Sequence, residues 1–87
     1  MTATTTEDLV RVADLRERCR SGAARALRVG AGLSLQNVSA ATGVGVPTIW
    51  RWETGDRRPL ASAAALRYAD LLEQLADRHR PQRRGSP

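Results

Sequence analysis

Eighty-seven residues suffice for one domain with a single modest core, burying about 60% of the surface the unfolded chain exposes; a deep, multi-walled catalytic pocket does not fit in that mass. Phe is absent, so the core has to be assembled from Leu, Val, Ala, Ile and two Trp. The formal charge of +5 is uneven: residues 1–76 carry ten Arg against eight acids and residues 77–87 four Arg against one, a mildly basic body with a strongly basic end.

In chain order, residues 1–5 are Thr-rich with nothing to bury and are expected to be a disordered tail, as are residues 80–87; the domain is placed at 6–79. Thr6 can cap a first helix whose first turn carries Glu7 and Asp8 and whose last turn carries Arg16, Arg18 and Arg20, the order that suits the helix dipole. Leu9, Val12, Leu15 and Cys19 form its apolar stripe. Ser21-Gly22 interrupts, and a second helix runs from Ala23 to about Gly30 with Ala24, Leu27 and Ala31 spaced to pack inward. Leu33 should plug the core, and Ser34 can cap a third helix, Leu35 to Thr42, buried at Val38 and Ala41.

Gly43-Val44-Gly45 then reads as a tight turn, with Gly43 a helix stop and Val44 packed under both neighbours. A fourth short helix, Val46 to Thr54, starts without a side-chain cap because Gly45 precedes it; Pro47 in its first turn partly compensates, and Gly55 stops it. At 100° per residue, Thr48, Ile49 and Trp52 share one side, while Val46, Pro47, Trp50, Arg51 and Thr54 share the other. Helix, turn and helix together form a helix-turn-helix pattern. After the loop Asp56-Arg57-Arg58-Pro59, a long helix from about Ser62 to Arg78, ended by Pro81, carries a seam of Ala65, Tyr68, Leu72, Leu75 and His79. Leu66 and Leu71 lie off that seam, so this helix meets either a second copy of the chain or the first helix.

The stretch from about Arg25 to Pro59 resembles the Cro/CI (Xre-like) family of phage and bacterial repressors. The likeness runs through an Arg in the helix before the motif, Gly-Leu-Ser before the first motif helix, Gly-Val at the turn, and Trp-Glu-x-Gly followed by basic residues and Pro. It implies an all-α, compact lambda-repressor-like domain of about five helices, here with an extra helix at the N-terminus and a long one at the C-terminus. It also implies a sequence-specific double-stranded DNA-binding regulator, with Val46, Pro47, Trp50 and Arg51 facing bases, Leu35, Gln36, Thr54, Arg57 and Arg58 near the backbone, and a structural ion pair between Arg28 and Glu53. A homodimer would read an inverted repeat. The competing reading of that pair is two solvated charges.

Arg51 can donate two hydrogen bonds to guanine, or merely meet phosphate or solvent. Val46, Pro47 and Trp50 depart from the hydrogen-bonding residues that relatives often carry; Trp50 is open to DNA contact, protein contact or core. Leu35 stands where relatives frequently have Gln, leaving main-chain amides to hold a phosphate. Arg80, Arg83 and Arg84 would add salt-sensitive attraction. A protein-binding module on the same fold, or an antitoxin or excision factor acting with a protein partner, is the alternative.

No enzyme, cofactor or metal is expected: His79 is the only His, no Cys and carboxylate set has metal spacing, and no nucleophile has an evident base. Gly30, Gly32, Gly43 and Gly45 follow no strand and read as turn and cap residues rather than a phosphate loop. Cys19, the single cysteine, reads as a small apolar residue of a reduced, cytoplasmic protein, with an intermolecular bridge the minor reading. No run has signal-peptide or membrane-spanning length. All 14 cations are Arg and Ala is equally frequent, a bias of GC-rich coding that points to a bacterium or its phage and weakens any inference from Arg count alone.

Overall fold

The computed structural model describes residues 4–79, which form α1 (Thr6–Ser21), α2 (Ala23–Gly30), α3 (Leu35–Thr42), α4 (Val46–Thr54) and α5 (Ala63–His79), with no strand among the described residues. Of the expected tails, 1–5 and 80–87, positions 1–3 and 80–87, including Pro81 and the three tail arginines, lie outside those residues, as does the side chain of His79, whereas Thr5 is drawn into the start of α1. The architecture is the all-α arrangement expected. Its N-terminal cap is Thr5 rather than Thr6: the Thr5 hydroxyl accepts from the Asp8 amide at 3.0 Å, and the Asp8 carboxylate accepts from the Thr5 amide. Of Thr5 and Thr6, the first has an acidic side chain three residues on, Asp8, to return the bond, whereas the second has Leu9, which decides between them.

One core joins all five helices: Leu15 and Cys19 of α1, Ala24 of α2, Val38 of α3, Val44 of the turn, Ile49 and Trp52 of α4, and Ala65, Tyr68, Leu72 and Leu75 of α5. Leu27, Ala31, Leu33, Leu35 and Leu71 pack against it partly buried. Leu9 is exposed although it belongs to the expected stripe. At 100° per residue it sits about 90° from the mean direction of Val12, Leu15 and Cys19, so it falls off the edge of the buried face. In α3 the buried partner of Val38 is Thr42, whereas Ala41 is exposed. The Thr42 hydroxyl donates to the Val38 carbonyl at 2.8 Å and accepts from the Val44 amide at 3.2 Å, so a polar side chain reaches the core fully bonded.

The long α5 is covered by α1 of the same chain, where Arg11 grips Glu73 through two hydrogen bonds of 3.0 Å. That leaves Leu66 and Leu71 half-buried.

Two buried titratable groups yield expected outcomes. The Tyr68 hydroxyl has no hydrogen-bond partner among the described residues, and its ring leans on Trp52 with centroids 5.4 Å apart. An unpaired buried hydroxyl costs about 1–3 kcal/mol, so Tyr68→Phe should raise stability by about 1 kcal/mol, read from the urea midpoint, whereas Tyr68→Ala should cost about 3–5 kcal/mol. Burial, then the nearby Glu53 carboxylate, pushes the Cys19 thiol up from 9.0 to about 12. The folded chain therefore keeps a proton that the unfolded chain loses, and stability contributed at Cys19 is intact below pH 9 and declines between pH 9 and about 12. Cys19→Ala should flatten the fall of the urea midpoint across that window, and the native thiol should resist disulfide-exchange reagents at pH 8 that modify it fully in denaturant.

Candidate nucleic-acid interface

The turn between α3 and α4 is built for a close, fixed crossing. Gly43 takes φ +76°, a conformation that side-chain-bearing residues rarely adopt, and a Cβ there would lie 3.3 Å from the Arg67 guanidinium. That guanidinium donates from Nε to the Thr42 carbonyl at 2.6 Å, tying the end of α3 to α5. Val44 is buried beneath the turn, and Gly45 enters α4 in extended conformation with no side-chain cap. The missing cap weakens the start of α4, and Pro47, which has no amide, lowers the number of unpaired donors in that first turn.

Within α4, Ile49 and Trp52 are buried and Thr48 half-buried, whereas Pro47, Trp50, Arg51 and Thr54 are exposed. Val46, expected to face outward, is half-buried. Trp50 is 54% exposed, which removes the core reading and leaves a nucleic-acid or protein contact. Arg51 has no side-chain partner among the described residues; its carbonyl collects the amides of Asp56 at 2.9 Å and Arg57 at 3.2 Å, folding the basic loop back over the helix end. Arg57 and Arg58 are exposed beside it. The outward helix face and this loop thus present three free guanidinium groups together.

The first-turn end of α3 is exposed at Gln36, while the Leu35 side chain turns to the core. Ser34 and Asn37 exchange side-chain and main-chain bonds of 3.0 and 2.9 Å, a reciprocal cap that leaves the Leu35 and Gln36 amides without intrahelical partners. Leu35 can therefore contribute to an anion contact only through its main chain. These amides and the positive end of the helix dipole suit a phosphate oxygen.

Behind the exposed face, Arg28 makes a forked bond to Glu53, Nε to Oε2 at 2.6 Å and Nη2 to Oε1 at 2.9 Å, while Nη1 donates to the Leu33 carbonyl at 2.9 Å. Their side chains are only 12% and 2% exposed, so these are not two solvated charges. The carboxylate holds the guanidinium more firmly protonated than usual, burial opposing it less. One side chain thus joins α2, the α2–α3 loop and the last turn of α4. A further cross-brace has no local signal in the sequence: Arg16 of α1 donates from Nε to the carbonyl of buried Pro59 at 2.6 Å, pinning the far end of the basic loop.

Two short helices crossing at a three-residue turn, the second presenting exposed Trp50 and Arg51 over a basic loop, define a helix-turn-helix unit. A family model for the helix-turn-helix domain matches residues 9–81, and the chain belongs to that family, which supports a DNA-binding regulator. No curated protein and no solved structure matches the chain. Among the described residues no helix is long and apolar enough to cross a membrane, and no group of three or more His, Cys, Asp or Glu is placed to hold a metal ion.

Proposed function

We propose that this protein is a Cro/CI-type transcriptional repressor, bacterial or phage-encoded and acting in the cytoplasm, that inserts α4 into the major groove of double-stranded DNA. The reading rests on one observation above the others: α4 is anchored by Ile49 and Trp52 while Trp50 and Arg51 stand exposed beside Arg57 and Arg58. A major groove admits one helix, Arg51 suits guanine O6 and N7, and Trp50 with Pro47 suits a thymine methyl or sugar. Thr54, Arg57, Arg58 and the Leu35 and Gln36 amides hold phosphates and set the register. The chain has no catalytic role in this reading and needs no cofactor.

Leu9 and Val10, adjacent and exposed on α1, favour a homodimer through that helix, placing two α4 helices about 34 Å apart on an inverted repeat. Selection from a random duplex pool should enrich a palindromic motif containing guanine in each half-site. Recovery of no motif would remove sequence-specific reading. It would favour the second reading, a protein-binding module, or an antitoxin or excision factor with a protein partner, for which exposed Trp50 beside Pro47 is the supporting feature.

A further inference from the structure

We propose that the cleft between α1 and the loop at residues 55–58 is a binding site for a small anion with an apolar body, of the arylcarboxylate class, and that its occupant competes with DNA for Arg57 and Arg58. The competition rests on the DNA-reading role proposed above; the binding does not.

The cleft, half open to solvent, offers about 500 Å³, inside the roughly 300–1,000 Å³ range of small-molecule sites. One wall is a single stripe of α1, Ala13, Arg16, Glu17 and Arg20, spaced i, i+3, i+4 and i+7. Trp52 and Cys19 line it from the core, and the small Ala13 leaves the room between helix and loop. Its charges are unequal: four guanidinium groups face two carboxylates, those of Glu17 and Asp56. Glu17 is already held by Arg20 at 2.6 Å, and Arg16 spends its Nε on the Pro59 carbonyl. Arg57 and Arg58 have no ion-pair partner among the described residues. An aromatic ring against Trp52 with one carboxylate at these two arginines satisfies both kinds of wall. A neutral ligand leaves the cations unpaired, and a polyanion forgoes the apolar surface.

Arg57 and Arg58 also line a second cleft, of about 520 Å³, shared with Thr48 and Arg51 on the α4 side. A guanidinium engaged by a carboxylate in the first cleft is not available to a phosphate beside the second. By linkage, whatever the ligand takes from DNA affinity, DNA takes from ligand affinity.

The test titrates the full ¹⁵N-labelled chain with 1-naphthoate and, as the neutral counterpart, 1-naphthalenemethanol. The expected result is saturable amide shifts confined to residues 13–20 and 52–58, with naphthoate bound at least about tenfold more tightly than the alcohol. Arg57→Gln with Arg58→Gln should erase that difference, and Ala13→Trp, at an exposed position, should abolish both. No saturable shift at about 10 mM naphthoate, shifts elsewhere, or unaltered binding by Ala13→Trp overturns the site. In a second arm, saturating naphthoate should raise the Kd for a short duplex about threefold or more at fixed ionic strength, in the parent chain and not in Ala13→Trp. An unchanged Kd beside a positive first arm overturns the competition alone. A chain that binds naphthoate and no duplex refutes the DNA reading and the competition with it, and leaves the site standing.

Discussion

Arg28→Ala should destabilise the domain by about 3–5 kcal/mol and lower Tm by at least roughly 12 °C. The magnitude follows from burial: the Glu53 side chain is 2% exposed, so removing its partner strands a carboxylate that cannot reach water. The Leu33 carbonyl loses its donor as well. Glu53→Ala should cost less, since the Arg28 side chain, 12% exposed, starts closer to solvent. A double replacement, Arg28→Met with Glu53→Met, should recover all but about 1 kcal/mol, because it removes both charges together and leaves only the Leu33 carbonyl unbonded. Urea melts of the four proteins check this. If Arg28→Ala and the double variant were equally destabilised, the pair's contribution would be packing rather than charge compensation.

Arg51→Ala should change which duplexes are bound far more than how firmly the chain holds DNA in general. Loss of a two-pronged guanine contact removes about 1–3 kcal/mol of discrimination, roughly 5- to 150-fold, at one position per half-site. Arg58→Ala should instead weaken binding to all sequences by a similar factor and reduce the salt slope by about 1, the behaviour of a phosphate contact. The contrast depends on where the side chains stand: Arg51 projects from the last turn of α4 itself, next to Trp50 on its outward side, and Arg58 from the loop beyond the helix end. Competition binding against point-substituted duplexes at two or more salt concentrations separates them. Uniform weakening by both variants would reduce Arg51 to a second phosphate contact.

Much of the site was legible because its boundaries are written locally. Gly22, Gly43 and Gly55 each take the left-handed conformation that ends a helix, and Ser34 caps α3 three residues before Asn37, so the ends of α1, α3 and α4 and the start of α3 lie where capping chemistry put them. Helical phase set Trp50 and Trp52 on opposite sides of α4 but left a core position open for Trp50, and the fold exposes the first and buries the second. Two of the readings that needed correction turned on finer competition, Thr5 over Thr6 through a reciprocal bond and Thr42 over Ala41 because a hydroxyl can satisfy itself against its own helix, while Leu9 and Val46 sit at the edges of their helices' buried faces, where helical phase does not decide. The cross-braces from Arg16 to Pro59 and from Arg67 to Thr42 span 43 and 25 residues, and no local pattern encodes which carbonyl a distant guanidinium meets. An apolar helix face likewise looks the same whether its own chain or a second copy covers it. On α5 much of that cover is α1.

Sequence-specific binding depends on Arg51 reaching a base from an α4 held by Ile49 and Trp52. Guanine N7 methylation interference on a selected duplex, run with the parent chain and with Arg51→Ala, tests that contact directly. The expected result is one guanine per half-site whose methylation blocks the parent chain and is tolerated by Arg51→Ala, with any other interfering guanines unchanged. Identical interference patterns for the two proteins, or no interfering guanine at all, would contradict it.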